Sequence, residues 1–171
     1  MSQIKNRITL NLILTFSVFA LGAAYFIQHI LGHKPCNLCL IERLPYIFAI
    51  IIISLGLILK KFEKSIIVFL ILIFLAATII SFYHFGIEQG FFKESFVCNL
   101  GNNILNLSKE DILKELQEKT ISCKNVSFTI IGLSLATINT IISVFLSVIT
   151  IKLFLNYEKN KKNQNRRIYK S

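Results

Sequence analysis

Cys36-Asn37-Leu38-Cys39 sets two thiols three residues apart. Oxidised, that spacing closes a small, strained ring, which suits a redox dithiol or half of a metal site better than a structural staple. Two more cysteines, Cys98 and Cys123, lie far downstream in a polar stretch. Four cysteines allow three pairings. The local one bridges Cys98 to Cys123 across 24 intervening residues, a closure worth about 3 kcal/mol in a chain-entropy model. A stapled loop and an exchangeable disulfide both fit that second pair. A zinc centre needs about four N or S ligands, so all four cysteines would have to stay reduced to form one.

The neighbours of the first pair add to its chemistry. Arg43 follows Cys39 by four residues with Glu42 beside it, so on a helix that includes Cys39 the guanidinium lies one turn away on the same face. A cation there favours a thiolate or binds a polar ligand at a membrane rim; equally, it can snorkel to headgroups. His29 and His33 are one turn apart, and His84 sits beside Tyr83. A histidine at such depth donates to a carbonyl, shuttles protons or packs between helices. Covalent haem attachment is excluded, because Leu40 rather than histidine follows Cys39.

These residues must be positioned by a membrane protein. The 171 residues are 54% hydrophobic and 16% charged, against about 25% charged in soluble domains, and the mean hydropathy is +0.64. A span needs roughly 20 apolar residues. Runs that meet this predict spans over residues 8–32, 39–59, 65–85 and 126–151. The expected fold class is all-α: a four-transmembrane-helix bundle forming a single membrane domain over residues 1–171. Its outer loops are 33–43 and 86–125, the latter a long extracytoplasmic loop between helices three and four, and a basic tail covers 152–171. The N-terminus, the turn near Lys60 and the tail carry twelve basic residues against Glu63 and Glu158, whereas the other side carries seven of each sign. Since Lys and Arg are retained on the cytoplasmic side, both termini are expected inside and all four cysteines outside, where disulfides persist. The net charge of +10 is thereby a topology signal, and nucleic acid is not an expected partner. A cleaved signal peptide is the alternative for the first run, but that run exceeds the 7–15 residues of such a region. Within the long loop, Ser108 with Asp111 three later starts a helix-like pattern through Lys119 with Ile112, Leu113 and Leu116 on one stripe. That stripe and Phe91, Phe92 and Phe96 would rest on the membrane surface or on the bundle.

Pro35-Cys36-x-x-Cys39-x-x-Glu42-Arg43, Gln28-His29 upstream, Tyr83-His84-Phe85-Gly86-Ile87-Glu88 and two further outer cysteines together resemble the DsbB family of disulfide-bond formation proteins. The resemblance in plan covers nearly the whole chain. It implies a protein of the bacterial inner membrane that oxidises a DsbA-like thioredoxin-fold partner and passes the electrons to a membrane quinone, ubiquinone or menaquinone. On that resemblance Cys98 and Cys123 exchange with the partner, with Cys98 forming the mixed disulfide. Cys36 and Cys39 then reoxidise that pair, Cys39 faces the quinone, and Arg43, Glu42 and His84 serve the quinone site. No metal is expected. Two rivals share the plan: a thiol-dependent quinone reductase of vitamin K epoxide reductase type, and a non-catalytic tetraspan protein with two structural disulfides.

Overall fold

In a bilayer each backbone N–H and C=O must find its partner within the protein, so uncharged runs of this length fold as helices. The computed structural model describes residues 2–33, 35–59, 63–93, 98, 123, 129–130 and 132–168. Five helices are present among them: α1 (Ser2–His29), α2 (Asn37–Ile41), α3 (Leu44–Leu59), α4 (Glu63–Glu88) and α5 (Leu135–Ile168). A ribbon of β1 (Thr129–Ile130) and β2 (Leu133–Ser134) pairs antiparallel just before α5. Four stretches are long and apolar enough to cross a membrane: Asn6–His29, Asn37–Ile58, Glu63–Glu88 and Leu135–Asn163. The helix-like pattern over 108–119, together with Phe96, lies outside the described residues.

Two departures from uninterrupted spans have local causes. The second stretch breaks at Glu42 and Arg43, because Pro45 has no N–H to offer the Ile41 carbonyl and its ring crowds that carbonyl. Proline is tolerated in the first turn of the new helix, α3. Within the uncharged run from Asn125 onward, the described residues before α5 form the ribbon, whose turn uses Gly132 at φ +79°, a conformation that costs glycine little. Ser134 then caps α5, its Oγ accepting from Thr137 N–H at 3.1 Å. Beyond the apolar run α5 continues through the basic segment to Ile168.

The bundle keeps large apolar side chains on its outside as well as in its core, and seats small hydroxyl residues between its helices. Ile58 and Ile79 are 74% and 70% exposed, whereas Ser17, Ser81, Ser143 and Thr150 are fully buried. Ser17, Ser81 and Thr150 hydrogen-bond to carbonyls in the preceding turn at 2.8–2.9 Å, and Thr78 on α4 meets Ser147 on α5 at 3.0 Å. Small hydroxyl residues at helix contacts are how bundles pack where lipid leaves no hydrophobic drive between helices. The most extensive contact is α4 on α5, followed by α1 on α3 and α3 on α4; α1 and α5 meet most sparsely of these. One end is tied by Arg7 to Glu63 (3.7 Å) and Lys64 to Glu158 (2.6 Å), which gathers charges of α1, α4 and α5 together. The cysteines lie at the other end.

Phe74, packed with Leu70, Ile53 and Leu146, is the largest fully buried side chain of the central cluster. Phe74→Ala should lower the thermal inactivation temperature of the solubilised protein. The loss falls short of the roughly 3–5 kcal/mol of a water-surrounded core, because lipid-like surroundings forfeit the transfer contribution and leave mainly the cavity.

Candidate redox site

The site is built where α1 ends, α2 begins and α4 ends. Gly32, at φ +71°, stops α1, and Pro35 holds the chain extended into Cys36, which caps α2. The Cys36 sulfur accepts the Cys39 N–H at 3.3 Å, and the two sulfurs stand 2.7 Å apart as free thiols. From α4, His84 brings Nε2 to 3.6 Å from Cys36 Sγ, while its Nδ1 lies 2.9 Å from Glu42 Oε1. Cys36, Glu42 and His84 are 6%, 8% and 2% exposed. Hydrogen bonding from the Cys39 thiol, with further help from His84, holds the Cys36 thiol well below the usual thiol range, outweighing the upward push of burial.

Cys98 and Cys123 are joined in a disulfide, with Cα atoms 5.9 Å apart. Both are buried in one apolar cluster with Cys36, Leu38 and Ile87, and Cys39 and Tyr83 pack against it. All four sulfurs therefore share one small region. The bond between Cys98 and Cys123 removes two of the four ligands that a tetracysteine zinc centre would require.

A cavity of about 290 Å³ adjoins the thiols, close to the lower end of the roughly 300–1,000 Å³ that small-molecule sites occupy. Its walls are apolar residues of α1 and α5, such as Phe16, Phe19, Leu135 and Ile142. Its polar groups are few: Gln28, His33, Cys39, Glu42, Arg43, Tyr46 and Asn139. Cys39 lines it, while Cys36 and His84 stand behind the wall. Arg43 donates to Gln28 Oε1 at 2.6 Å and lies 5.1 Å over the Tyr25 ring, which itself stacks on His29. The arginine is thus aimed by α1 rather than by Cys39. Tyr46 donates to Asn139 Oδ1 at 2.6 Å.

The sequence reading missed Tyr25, Tyr46 and Asn139. Asn139 alone carried a signal, a polar residue inside a membrane span. Other members of the Tyr83 to Glu88 string have structural reasons. Tyr83 donates to Lys93 O at 3.3 Å and stacks on Phe92, Phe92 sits where any side chain on Gly86 would collide, and Glu88 accepts from the capping Ser134.

The sequence profile described as "Disulfide bond formation protein DsbB" matches residues 6–153. The chain belongs to the DsbB family. Among relatives, the SPbeta prophage-derived disulfide bond formation protein B of Bacillus subtilis is 31% identical over 155 residues, 90% of each chain. An uncharacterized protein of Rickettsia prowazekii is 33% identical over 156 residues, again 90% of each. Disulfide bond formation protein B of Vibrio vulnificus shares 51% identity over 39 residues, 23% of each chain. Membership in the DsbB family, with four helices long and apolar enough to span, makes this a multi-pass membrane oxidoreductase of disulfide-bond formation.

Proposed function

We propose that the protein oxidises a DsbA-like thioredoxin-fold dithiol on the periplasmic side of the bacterial inner membrane and delivers the electrons to ubiquinone or menaquinone in the cavity beside Cys39. The observation that carries this reading is the placement of Cys39 in the wall of an apolar cavity while its partner Cys36 faces away, toward the cluster that holds Cys98 and Cys123. Both termini then lie in the cytoplasm, a reading supported by the gathering of Arg7, Lys64 and the basic tail at the end opposite the cysteines.

The cavity suits a quinone: apolar walls for the ring and tail, with Arg43, Gln28, Tyr46 and Asn139 at its lining for the oxygens. When bound, a quinone supplies a sink for two electrons and two protons. The protein's own part is thiol exchange. The two partner thiols give two electrons and two protons to Cys98–Cys123, and a new disulfide forms in the partner. The Cys98 and Cys123 thiols in turn reduce the Cys36–Cys39 disulfide and are themselves re-bridged. Each exchange requires a thiolate aimed at a disulfide sulfur, and the shared apolar cluster keeps the pairs within reach. Arg43, positioned by Gln28 and Tyr25, presents a fixed charge at the cavity wall, while the α1 and α5 side chains exclude water.

The test uses purified protein in detergent with ubiquinone and a reduced thioredoxin-fold dithiol protein, following quinone absorbance and partner thiols together. Loss of the two in one-to-one proportion, one quinone per dithiol, is the expected result. Intact protein that retains quinone yet reduces none would overturn the reading in favour of two structural disulfides.

A further inference from the structure

We propose that Cys36, His84 and Glu42 form a buried proton relay, in which His84 Nε2 takes the proton of Cys36 and Glu42 passes a proton from Nδ1 to the wall of the cavity. This rests on the redox reading above and adds to it a route for protons distinct from that for electrons.

The geometry is ordered along one line. Cys36 Sγ lies 3.6 Å from Nε2 and Nδ1 lies 2.9 Å from Glu42 Oε1. A carboxylate at Nδ1 fixes the hydrogen there and leaves the Nε2 lone pair directed at the thiol, the arrangement by which an oriented histidine activates a nucleophile. His84 does not line the cavity, whereas Glu42 does, so the carboxylate alone of the three touches both compartments. Cys39, on the other side of Cys36, meets the cavity directly. Electrons thus have a sulfur path through Cys39, and the Cys36 proton has an imidazole and carboxylate path around it. Among the described residues, the titratable groups near His84 are Cys36 before α2, Cys39 on α2 and Glu42 at its end, with Tyr46 of α3 near Glu42 and Asn139 of α5 hydrogen-bonding to it. Arg43 turns away to Gln28.

The balance is simple. When reduced Cys36 and Cys39 re-form their disulfide, the S–S bond forms, both sulfurs give up their protons, Cys36 ahead of the step and to His84, and two electrons and two protons pass to the quinone of the redox reading. One of those protons is the one on Cys36. Nε2 accepts it as Cys36 ionises, Nδ1 releases one to Glu42, and the released proton reaches the cavity together with the electrons. The ring then returns to its starting tautomer. The placement of Glu42 is therefore functional as well as structural: a carboxylate this deep is costly unless paired, and its pairing spends it on the histidine.

The test needs neither quinone nor partner. Reduced protein, freed of quinone, is alkylated with iodoacetamide across pH and the rate at Cys36 is read by mass spectrometry. Wild-type protein should alkylate Cys36 at a rate flat to below pH 6. In His84→Gln the midpoint should rise toward, but not reach, that of an ordinary thiol, because the Cys39 hydrogen bonds remain, and Cys36 alkylation at pH 6.5 should slow by about 10-fold. Glu42→Gln should shift it in the same direction by less, since the imidazole remains. An unchanged Cys36 profile in a His84→Gln protein that melts like wild type would overturn the relay and leave the oxidase reading standing. Should either variant fail to insert, ¹⁵N-histidine spectra of the reduced wild-type protein decide, the chain having only three histidines. The His84 ring nitrogens must then titrate with the Cys36 alkylation midpoint, and a His84 signal that titrates independently overturns the proposal.

Discussion

Cys39→Ala should give a protein that inserts in the membrane and melts like wild type, yet reduces quinone no faster than the buffer does. The side chain contributes one sulfur at the edge of a cavity and only part of the packing around it, so its truncation removes little contact. What it removes is the one sulfur that both pairs with Cys36 and lines the cavity. Without it no disulfide can form within the first pair, and electrons that reach Cys36 have no second sulfur through which to leave. Cys36→Ala should be equally inactive for the complementary reason, that Cys39 then has no partner. Membrane fractionation and a thermal profile check the fold, and quinone absorbance checks the activity. Loss of insertion in either variant would point instead to a scaffold in which the cysteines serve structure.

Arg43→Ala should leave the thiol chemistry intact and weaken quinone use. Hydrogen bonds from charged donors contribute about 1.5–3 kcal/mol, so the quinone concentration needed for half-maximal rate should rise about 10- to 100-fold. Because Gln28 and Tyr25 hold the guanidinium at 2.6 Å and 5.1 Å, Arg43→Lys should recover only part of the loss: an ammonium lacks the planar fork that stacks on Tyr25 and bonds Gln28 at once. A quinone titration with saturating reduced partner separates these outcomes. Unchanged quinone dependence in Arg43→Ala would end its assignment to that site.

What the sequence revealed and what it withheld divide along a physical line. The four spans were legible because a bilayer demands long charge-free runs, and basic residues mark their ends. The dithiol with Glu42 and Arg43 was legible because its members lie within eight residues of one another and their chemistry is local. Pro45 was equally visible, yet its effect, the break at Glu42 that turns this carboxylate toward α4, depends on which backbone carbonyl would have gone unpaired. The contacts across helices were not legible at all. His84 is 42 residues from Glu42 and 48 from Cys36, and Tyr46 is 93 from Asn139; nothing in either local pattern names the partner. The family resemblance assigned His84 to the quinone site; in the structure its ring faces the Cys36 thiol and the Glu42 carboxylate.

The sparse contact between α1 and α5 bears on how such a site is supplied. The cavity is walled by both helices, and Phe16, Phe19 and Ile142 in its walls belong to stretches apolar enough to cross a membrane. A ligand dissolved in the bilayer that enters between these two helices would arrive sideways, by lateral diffusion, without ever crossing water. Its supply is then set by its mole fraction among the lipids and not by its amount per litre of suspension. Diluting the proteoliposomes with buffer would leave occupancy unchanged, while fusing them with ligand-free vesicles would lower it.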